Sequence, residues 1–261
     1  MPKTPEIVAV MKVAARRRAT RADVIRRAAS ASNQGDAARP PAGALAAGTE
    51  DVERNPLASG ANRHHVGYVG WRRCMIHIRI AECADAPGIA RVHAATWKEA
   101  YKGILDDAYL GSLSQKRLAT RWRATLGHRK EDLDEQVFVA VQGKDVVGFL
   151  TLGASREAFA PWESEIGMIY VLKENRGAGI GRVLMKAAAD HSIRRGMFSC
   201  GLWVLRDNGG GRDFYEALKG ETTGRKTDSV GGQLVQLVAY WWRDVATLAD
   251  RSATAFQPGR N

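Results

Sequence analysis

One short segment, residues 176–181 with the sequence RGAGIG, constrains the fold of this chain most, because it links two kinds of secondary structure. The apolar run before it, residues 166–172, is typical of a buried strand, and the apolar residues from Ile180 onward repeat at helical spacing. A glycine-rich turn between a strand and a helix exposes unpaired backbone N–H groups at the positive end of the helix dipole. The sequence therefore predicts a layered arrangement of strands and helices, with an anion site, most often a phosphate site, at this turn.

The spacing of the glycines discriminates among known kinds of phosphate site. A Walker loop needs a lysine and a hydroxyl residue after its last glycine, but Arg182 and a valine follow Gly181. A dinucleotide-binding turn needs a glycine at the sixth position from Gly177, and Arg182 stands there instead. Two interpretations stay open: a turn without a ligand, and the pattern Arg-x-x-Gly-x-Gly that Arg176, Gly179 and Gly181 satisfy.

This pattern resembles the acetyl-CoA pyrophosphate loop of the GNAT acetyltransferase superfamily, and a second motif follows in the order found there. Residues 208–215, NGGGRDFY, are similar to the Asn-x-x-Ala-x-x-Phe-Tyr signature of the family. Residues 165–171 and 202–205 resemble its fourth and fifth strands. The resemblance covers residues 76–248 and implies the GNAT fold, an α/β (α+β layered) structure whose mixed central sheet of about 6–7 strands is flanked by helices.

Local patterns outside the motifs agree with alternating strands and helices. Strands are predicted at residues 76–80, 137–141, 146–152 and 234–242, the middle two as a hairpin. Helices are predicted from Asp85, a plausible N-cap, to about Tyr101, and over residues 114–126. No element is assigned between residues 216 and 233.

The net charge of +11 divides the chain into two parts. Residues 1–74 hold 13 Lys/Arg and 6 Asp/Glu, a net +7, which leaves +4 for residues 75–261. We therefore predict a basic, largely disordered N-terminal extension at 1–74, linker-like over 30–62, followed by an N-acetyltransferase domain at 75–261. Three interpretations of the extension stay open: Met75 is the true start, the arm binds nucleic acid or a membrane surface, or the tail is inert.

The cysteines and the hydropathy of the chain indicate in which cellular compartment the protein is expected. The three cysteines, Cys74, Cys83 and Cys200, have an odd count and no Cys-x-x-Cys spacing, which fits a reducing, cytoplasmic setting. Cys200 is expected to lie in the core. No run approaches the roughly 18 apolar residues of a membrane helix, so no membrane span is expected.

The family resemblance implies how acetyl-CoA would bind, with no metal. The pyrophosphate would contact the backbone of the glycine turn, with Arg176 adding positive charge, and the pantetheine arm would pair with the edge of the strand at 169–171. A backbone N–H near Tyr170 would polarise the thioester carbonyl. The cofactor-binding residues implied in this way are Ile169, Tyr170, Val171, Arg176, Gly177, Ala178, Gly179, Ile180, Gly181, Asn208 and Phe214.

The resemblance also suggests catalytic residues, each with a structural alternative. Tyr215 occupies the position of the acid that protonates the departing thiolate, or it is a packed aromatic residue. Glu165, or Glu163 two residues earlier, would be the general base, or a solvated edge carboxylate. Asn208 would bind pantetheine, or cap a helix. The three glycines after Asn208 depart from the family pattern and would make that helix costly to order.

The acceptor would be the primary amine of a small molecule or peptide. The resemblance places its pocket at Trp97, Tyr101 and Asp106, where aromatic rings and carboxylates suit a cationic amine, although Trp97 and Tyr101 can simply pack on the core. Nucleic acid is not expected as a partner, and a homodimer is compatible with the family. The competing functional hypothesis is a non-catalytic acyl-CoA-binding regulatory module.

Overall fold

The computed structural model describes residues 65–69, 76–127, 135–157 and 159–250. Its strands and helices alternate along most of this length. In chain order they are β1 (His65–Val69), β2 (Ile76–Ile80), α1 (Ala86–Ala100), α2 (Asp107–Gly111), α3 (Gln115–Gly127), β3 (Gln136–Gln142), β4 (Asp145–Ala154), β5 (Ser164–Val171), α4 (Ile180–Arg194), β6 (Cys200–Leu205), α5 (Gly209–Ala217), β7 (Glu221–Val230), β8 (Gln233–Trp242) and α6 (Ala246–Asp250).

The strands form one mixed sheet in the order β1-β2-β3-β4-β5-β6-β8-β7. Neighbouring strands are antiparallel except β5 and β6, which are parallel and joined by the crossover helix α4. The predicted fold class, a mixed sheet with flanking helices, is confirmed. The sheet has one strand more than expected, because β1 pairs with β2 and lies inside the segment assigned to the N-terminal extension. The other expectations for residues 1–64 lie outside the described residues.

Helices cover both faces of the sheet. On one face α1 packs on the strands, with the His93 and Phe149 ring centroids 5.9 Å apart. On the other face α4 packs, with Phe138 and His191 centroids 5.8 Å apart. Phe138 pairs with Leu150, the neighbour of Phe149, so side-chain alternation puts the two phenylalanines on opposite faces. The core therefore has two layers, one on each side of β3 and β4.

Asp85 precedes helix α1 and occupies the predicted N-cap position, with Pro87 in the first turn. Its side chain makes no capping hydrogen bond to the helix. Its carboxylate accepts from both terminal nitrogens of Arg79, at 2.6 and 2.8 Å, and from the backbone N–H of Glu82 at 2.7 Å. It therefore ties the helix to strand β2 as well as ending the preceding turn.

Two smaller expectations concern burial and membranes. Cys200 is buried, as predicted, and that burial raises the pKa of its thiol to about 12. Within the described ranges, no helix combines the length and the apolar character needed to cross a bilayer.

Candidate active site

The glycine turn leads directly into helix α4 and leaves its N-terminus open. Gly177 and Gly179 have φ values of 78° and 77°, a left-handed conformation that strongly favours glycine. Gly179 is the N-cap, and no side chain caps the helix, so the first-turn N–H groups lack an acceptor within it. At Gly181 a Cβ atom would lie 3.0 Å from the Phe214 ring. The first two glycines thus shape the turn, and the third lets α5 approach α4.

Beside this turn the sheet opens between β5 and β6. The two strands pair only at Ser164–Ile166 with residues 200–202, although β5 continues to Val171 and β6 to Leu205. Ile169, Tyr170 and Val171 pair with β4 on one edge, and their other edge makes no ladder with β6. The C-terminal half of β5 therefore presents backbone groups to a cleft that runs up to the α4 N-terminus.

An aromatic cluster lies next to this cleft; we use the name for His93, Trp97, Tyr101, Tyr109 and Tyr170. The hydroxyls of Tyr101 and Tyr170 are hydrogen-bonded at 3.1 Å. Trp97 is perpendicular to Tyr101 at 5.1 Å between centroids, and His93 stacks on Tyr170 at 5.8 Å. The indole Nε1 of Trp97 is buried and makes no hydrogen bond of standard geometry among the described residues, although it lies near enough to Tyr170 to oppose the rise in the pKa of that phenol. The cluster thus combines π faces with polar atoms that can still take a partner.

His93 was missed by the sequence analysis, although its spacing with Trp97 and Tyr101 marks one face of a helix. Burial, with Arg121 nearby, lowers the pKa of His93 to about 4. Its Nδ1 accepts from the Trp122 indole at 3.3 Å, which leaves the ring proton on Nε2. Near neutral pH, His93 is therefore an uncharged hydrogen-bond donor and not a base.

Tyr215 lies on α5 and is buried. Its ring contacts Phe214, Tyr240 and Trp242 at centroid distances of 5.5, 5.6 and 6.2 Å. Burial raises the pKa of Tyr215, and electrostatic interactions with Tyr101 and Tyr240 raise it further. The interaction with Tyr101 indicates that the phenol is close to the aromatic cluster. Its ring is packed, as the structural alternative held, while its hydroxyl remains protonated over the neutral range.

Comparisons with known proteins agree with this geometry. The model of the acetyltransferase (GNAT) family matches residues 97–220. An uncharacterised N-acetyltransferase of Bacillus subtilis is 30% identical over 175 residues, which are 67% of this chain and 96% of the relative. The chain belongs to the GNAT family of acetyltransferases. It is accordingly an N-acetyltransferase, and the residues that the family model matches include the glycine turn.

Two further relatives of this GNAT chain are more distant. A spermidine N(1)-acetyltransferase of Thermoplasma acidophilum is 25% identical over 141 residues, covering 54% of this chain and 84% of the relative. The crystal structure of a probable acetyltransferase from Staphylococcus epidermidis superposes with a TM-score of 0.50 at 15% identity, over 64% of this chain and 98% of that one. The latter similarity bears on the fold alone.

The side chain of Arg176 does not extend freely into solvent in this GNAT chain. Its Nη1 and Nη2 donate to the Glu99 carboxylate at 3.0 and 2.7 Å, and its Nε donates to the Val171 carbonyl at 3.1 Å. The guanidinium therefore bridges the C-terminal part of α1 and the end of β5. An anionic ligand at the glycine turn would have to compete with Glu99 for it.

Glu165, the expected general base, has a structural role. Its side chain is 2% exposed and accepts from the Arg156 Nε at 2.7 Å, the Arg156 Nη2 and the Arg156 backbone N–H at 3.1 Å. The Trp162 indole adds a weak contact at 3.5 Å. Glu163 likewise accepts from the backbone N–H of Phe198, at 2.6 Å. A carboxylate held by this many donors is poorly placed to take a proton, so neither residue enters our proposal as a base.

Asn208 and Asp106 both cap helices. The Asn208 Oδ1 accepts from the Gly211 N–H at 3.1 Å at the start of α5. The Asp106 Oδ1 accepts from the Tyr109 N–H at 2.9 Å at the start of α2. The amide oxygen of Asn208 therefore caps a helix, which was the structural alternative to binding pantetheine. Asp106 is exposed on the loop after α1.

That loop is held by the tip of the β7–β8 hairpin, a contact that was not predicted. The Gln233 Oε1 accepts from the Asp106 N–H, and its Nε2 donates to the Ile104 carbonyl, both at 3.0 Å. In the same turn, a Cβ atom on Gly231 would lie 2.5 Å from the Tyr109 ring. The hairpin tip thus positions the segment that follows Tyr101.

Proposed function

We propose that this GNAT enzyme transfers the acetyl group of acetyl-CoA to a primary amine of a small cationic molecule, by direct attack within a ternary complex. The observation that carries the proposal is the cleft between β5 and β6, which ends at the uncapped N-terminus of α4. Except at the Val171 carbonyl, which accepts from Arg176, the cleft offers a strand edge without a ladder partner for an extended chain bearing amides, and the helix end offers N–H donors for a pyrophosphate. Both chemistries belong to acetyl-CoA.

In the reaction, the amine nitrogen forms a bond to the thioester carbon and the carbon–sulfur bond breaks with its electron pair on sulfur. The backbone N–H near Tyr170 stabilises the oxyanion. Tyr215 donates a hydrogen bond and then its proton to the sulfur, the nitrogen of the new amide releases a proton to water, and water returns a proton to the Tyr215 phenolate. Burial raises the pKa of Tyr215 and makes the phenol a weaker acid, but burial would also raise the pKa of a thiol at the same place, so the two shifts oppose each other in the transfer.

The aromatic cluster supports a cationic acceptor. Ring faces of Trp97, Tyr101 and Tyr109 attract an ammonium group, each contact being worth about 0.5–2 kcal/mol depending on its exposure. A diamine or polyamine can keep one ammonium on these faces while a second, uncharged amine reacts. The name of the Thermoplasma acidophilum relative, a spermidine acetyltransferase, supports this substrate class.

The direct test is release of CoA thiol when the full-length protein is mixed with acetyl-CoA and a panel of diamines, polyamines, aminoglycosides and peptides with free N-termini. We expect turnover with diamines or polyamines. Tyr215→Phe should lower kcat by about 100-fold or more while CoA affinity stays within about twofold. Tyr240→Phe removes the same hydroxyl from the neighbouring ring and is the matched control. A panel without thiol release contradicts the substrate class, and unchanged turnover of Tyr215→Phe removes Tyr215 as the acid.

A further inference from the structure

A pocket on the outer side of α5 lies apart from the cleft described above. We call it the arginine pocket; it has a volume of about 450 Å³ and is lined by Arg206, Arg212, Thr222, Gly224, Arg225 and Val238. It opens over strands β7 and β8. The pocket is separate from the glycine turn. Phe214 faces Gly181 in that turn. Arg212, two positions earlier on the helix, lies on a different helix face and donates to the Tyr240 hydroxyl at 3.2 Å.

The pocket is positively charged. Three arginines line it, and no acidic residue in the described part of the chain does. Asp207 pairs with Arg206 at 2.9 Å, and Glu216 lies 3.6 Å from Arg212, but both carboxylates are more than half exposed and belong to the rim. Arg225 forms no ion pair or hydrogen bond with any residue that the structure describes. Arg225 thus contributes a positive charge that no described residue neutralises.

The rest of the lining suits a phosphate ester, which has an organic group, better than inorganic phosphate. Val238, directly opposite Arg225 in the β7–β8 ladder, supplies a buried apolar floor. Gly224 adjoins a register shift in β7, and Thr222 adds a hydroxyl. The volume lies within the roughly 300–1,000 Å³ typical of small-molecule sites. Guanidinium groups bind phosphate oxygens in a planar, two-pronged geometry that a lysine cannot reproduce.

We propose that the arginine pocket is a second anion site, which binds a phosphate monoester of a small molecule. Arg206 and Arg212 stand on either side of the segment Asn208–Gly211, whose three glycines are conformationally free in the unfolded chain. A phosphate bound by Arg225 from β7 and by these two arginines would order this segment. Since Tyr215 lies one turn further along α5, occupancy of the pocket would also steady the residue assigned as the acid.

The test uses the full-length protein saturated with CoA, so that the α4 N-terminus is already occupied. Phenyl phosphate and inorganic phosphate are titrated by calorimetry into the wild type and Arg225→Gln. We expect saturable binding that Arg225→Gln weakens about tenfold or more, because a charge-assisted contact is lost. Arg117→Gln is the matched control, since Arg117 is an exposed arginine on α3; it should bind like the wild type.

Three results would overturn the proposal. The first is equal binding of the probes by the wild type and Arg225→Gln. The second is the absence of saturable binding up to about 10 mM of either probe, because the dissociation constant would then lie above the roughly millimolar values relevant to metabolites. The third concerns the source of the phosphate: binding that appears with 3′-dephospho-CoA but disappears with CoA would assign the pocket to the cosubstrate itself. Because every measurement is of binding, an enzyme inactive on the amine panel leaves this test intact.

Discussion

The ion pair between Arg176 and Glu99 gives a direct test of whether the glycine turn binds CoA. The guanidinium is bound by Glu99, but binding an anion at the turn requires it to be shared or released. The side chains of the pair are 44% and 35% exposed, so solvent screens their attraction. An exposed pair is worth about 0.2–1 kcal/mol, and its bidentate geometry favours the upper end. Glu99→Gln should therefore tighten CoA binding by about two- to fivefold.

The assay is calorimetric titration of CoA at low and high ionic strength. The tightening should shrink as salt rises, because the Debye length falls from about 10 Å at 0.1 M to about 3 Å at 1 M. Glu174→Gln is the matched control: it removes an acidic residue from the turn just before Arg176 without freeing that guanidinium.

A double-mutant cycle separates release of Arg176 from simple loss of negative charge. In an Arg176→Ala background, Glu99→Gln should have no effect on CoA affinity, and the coupling energy should equal the single-variant gain. Equal tightening by Glu174→Gln, or an undiminished gain in the Arg176→Ala background, would refute the exchange and leave a general electrostatic effect.

Three other predictions concern the cleft and its supports. Trp97→Leu should raise KM for cationic amines about fivefold or more with little change in KM for acetyl-CoA, and Trp97→Phe should recover part of the loss. Gly210→Ala should raise the free energy of unfolding by about 0.5–1 kcal/mol, since no described atom lies within 4 Å of the new methyl group. Gly211→Ala should lower the free energy of unfolding, because its methyl group would lie 2.7 Å from the Asn208 side chain. Because the folded pKa of His93, about 4, lies below its unfolded value near 6.5, protonation favours the unfolded chain. Denaturation curves should thus show stability falling between about pH 6.5 and 4, by up to about 3 kcal/mol, and less so in His93→Phe.

Local patterns predicted the elements that lie in the centre of the sheet. Strand β5, the glycine turn and helix α4 follow from apolar periodicity and glycine spacing, both of which act over a few residues. Strand β7 could not be found in this way, because its residues are polar and mostly exposed. It forms because β8 pairs with it over its whole length, from Glu221 opposite Trp241 to Val230 opposite Gln233. A tertiary partner, and not β propensity, makes it a strand.

The site shows a similar division between residue type and partner. A glutamate or an arginine in a motif indicates what it can bind, but its partner is set by the fold. Glu165 is held by Arg156, nine positions earlier in a loop, and Arg176 is held by Glu99, 77 positions away. Neither pairing has a sequence signal. This is why the glycine turn could be located from local spacing, whereas the hydrogen-bond partners of Glu165 and Arg176 could not be predicted from the sequence.

The tyrosines and the histidine beside the cleft are uncharged near neutral pH, and this bears on the proposed reaction. Burial raises the pKa of Tyr170 and Tyr215 and lowers that of His93, so each of these groups is uncharged near neutral pH, and Glu165 is neutralised by Arg156. An uncharged cleft disfavours an ammonium at the reacting position, because desolvation penalises the charge. In the proposed reaction, the attacking amine would therefore lose its proton to water on entry. The protein would then act by positioning: a strand edge and a helix end would hold acetyl-CoA, and ring faces would hold a second ammonium that remains charged. A substrate with two amines can satisfy both demands, which is the physical reason for favouring diamines and polyamines over monoamines.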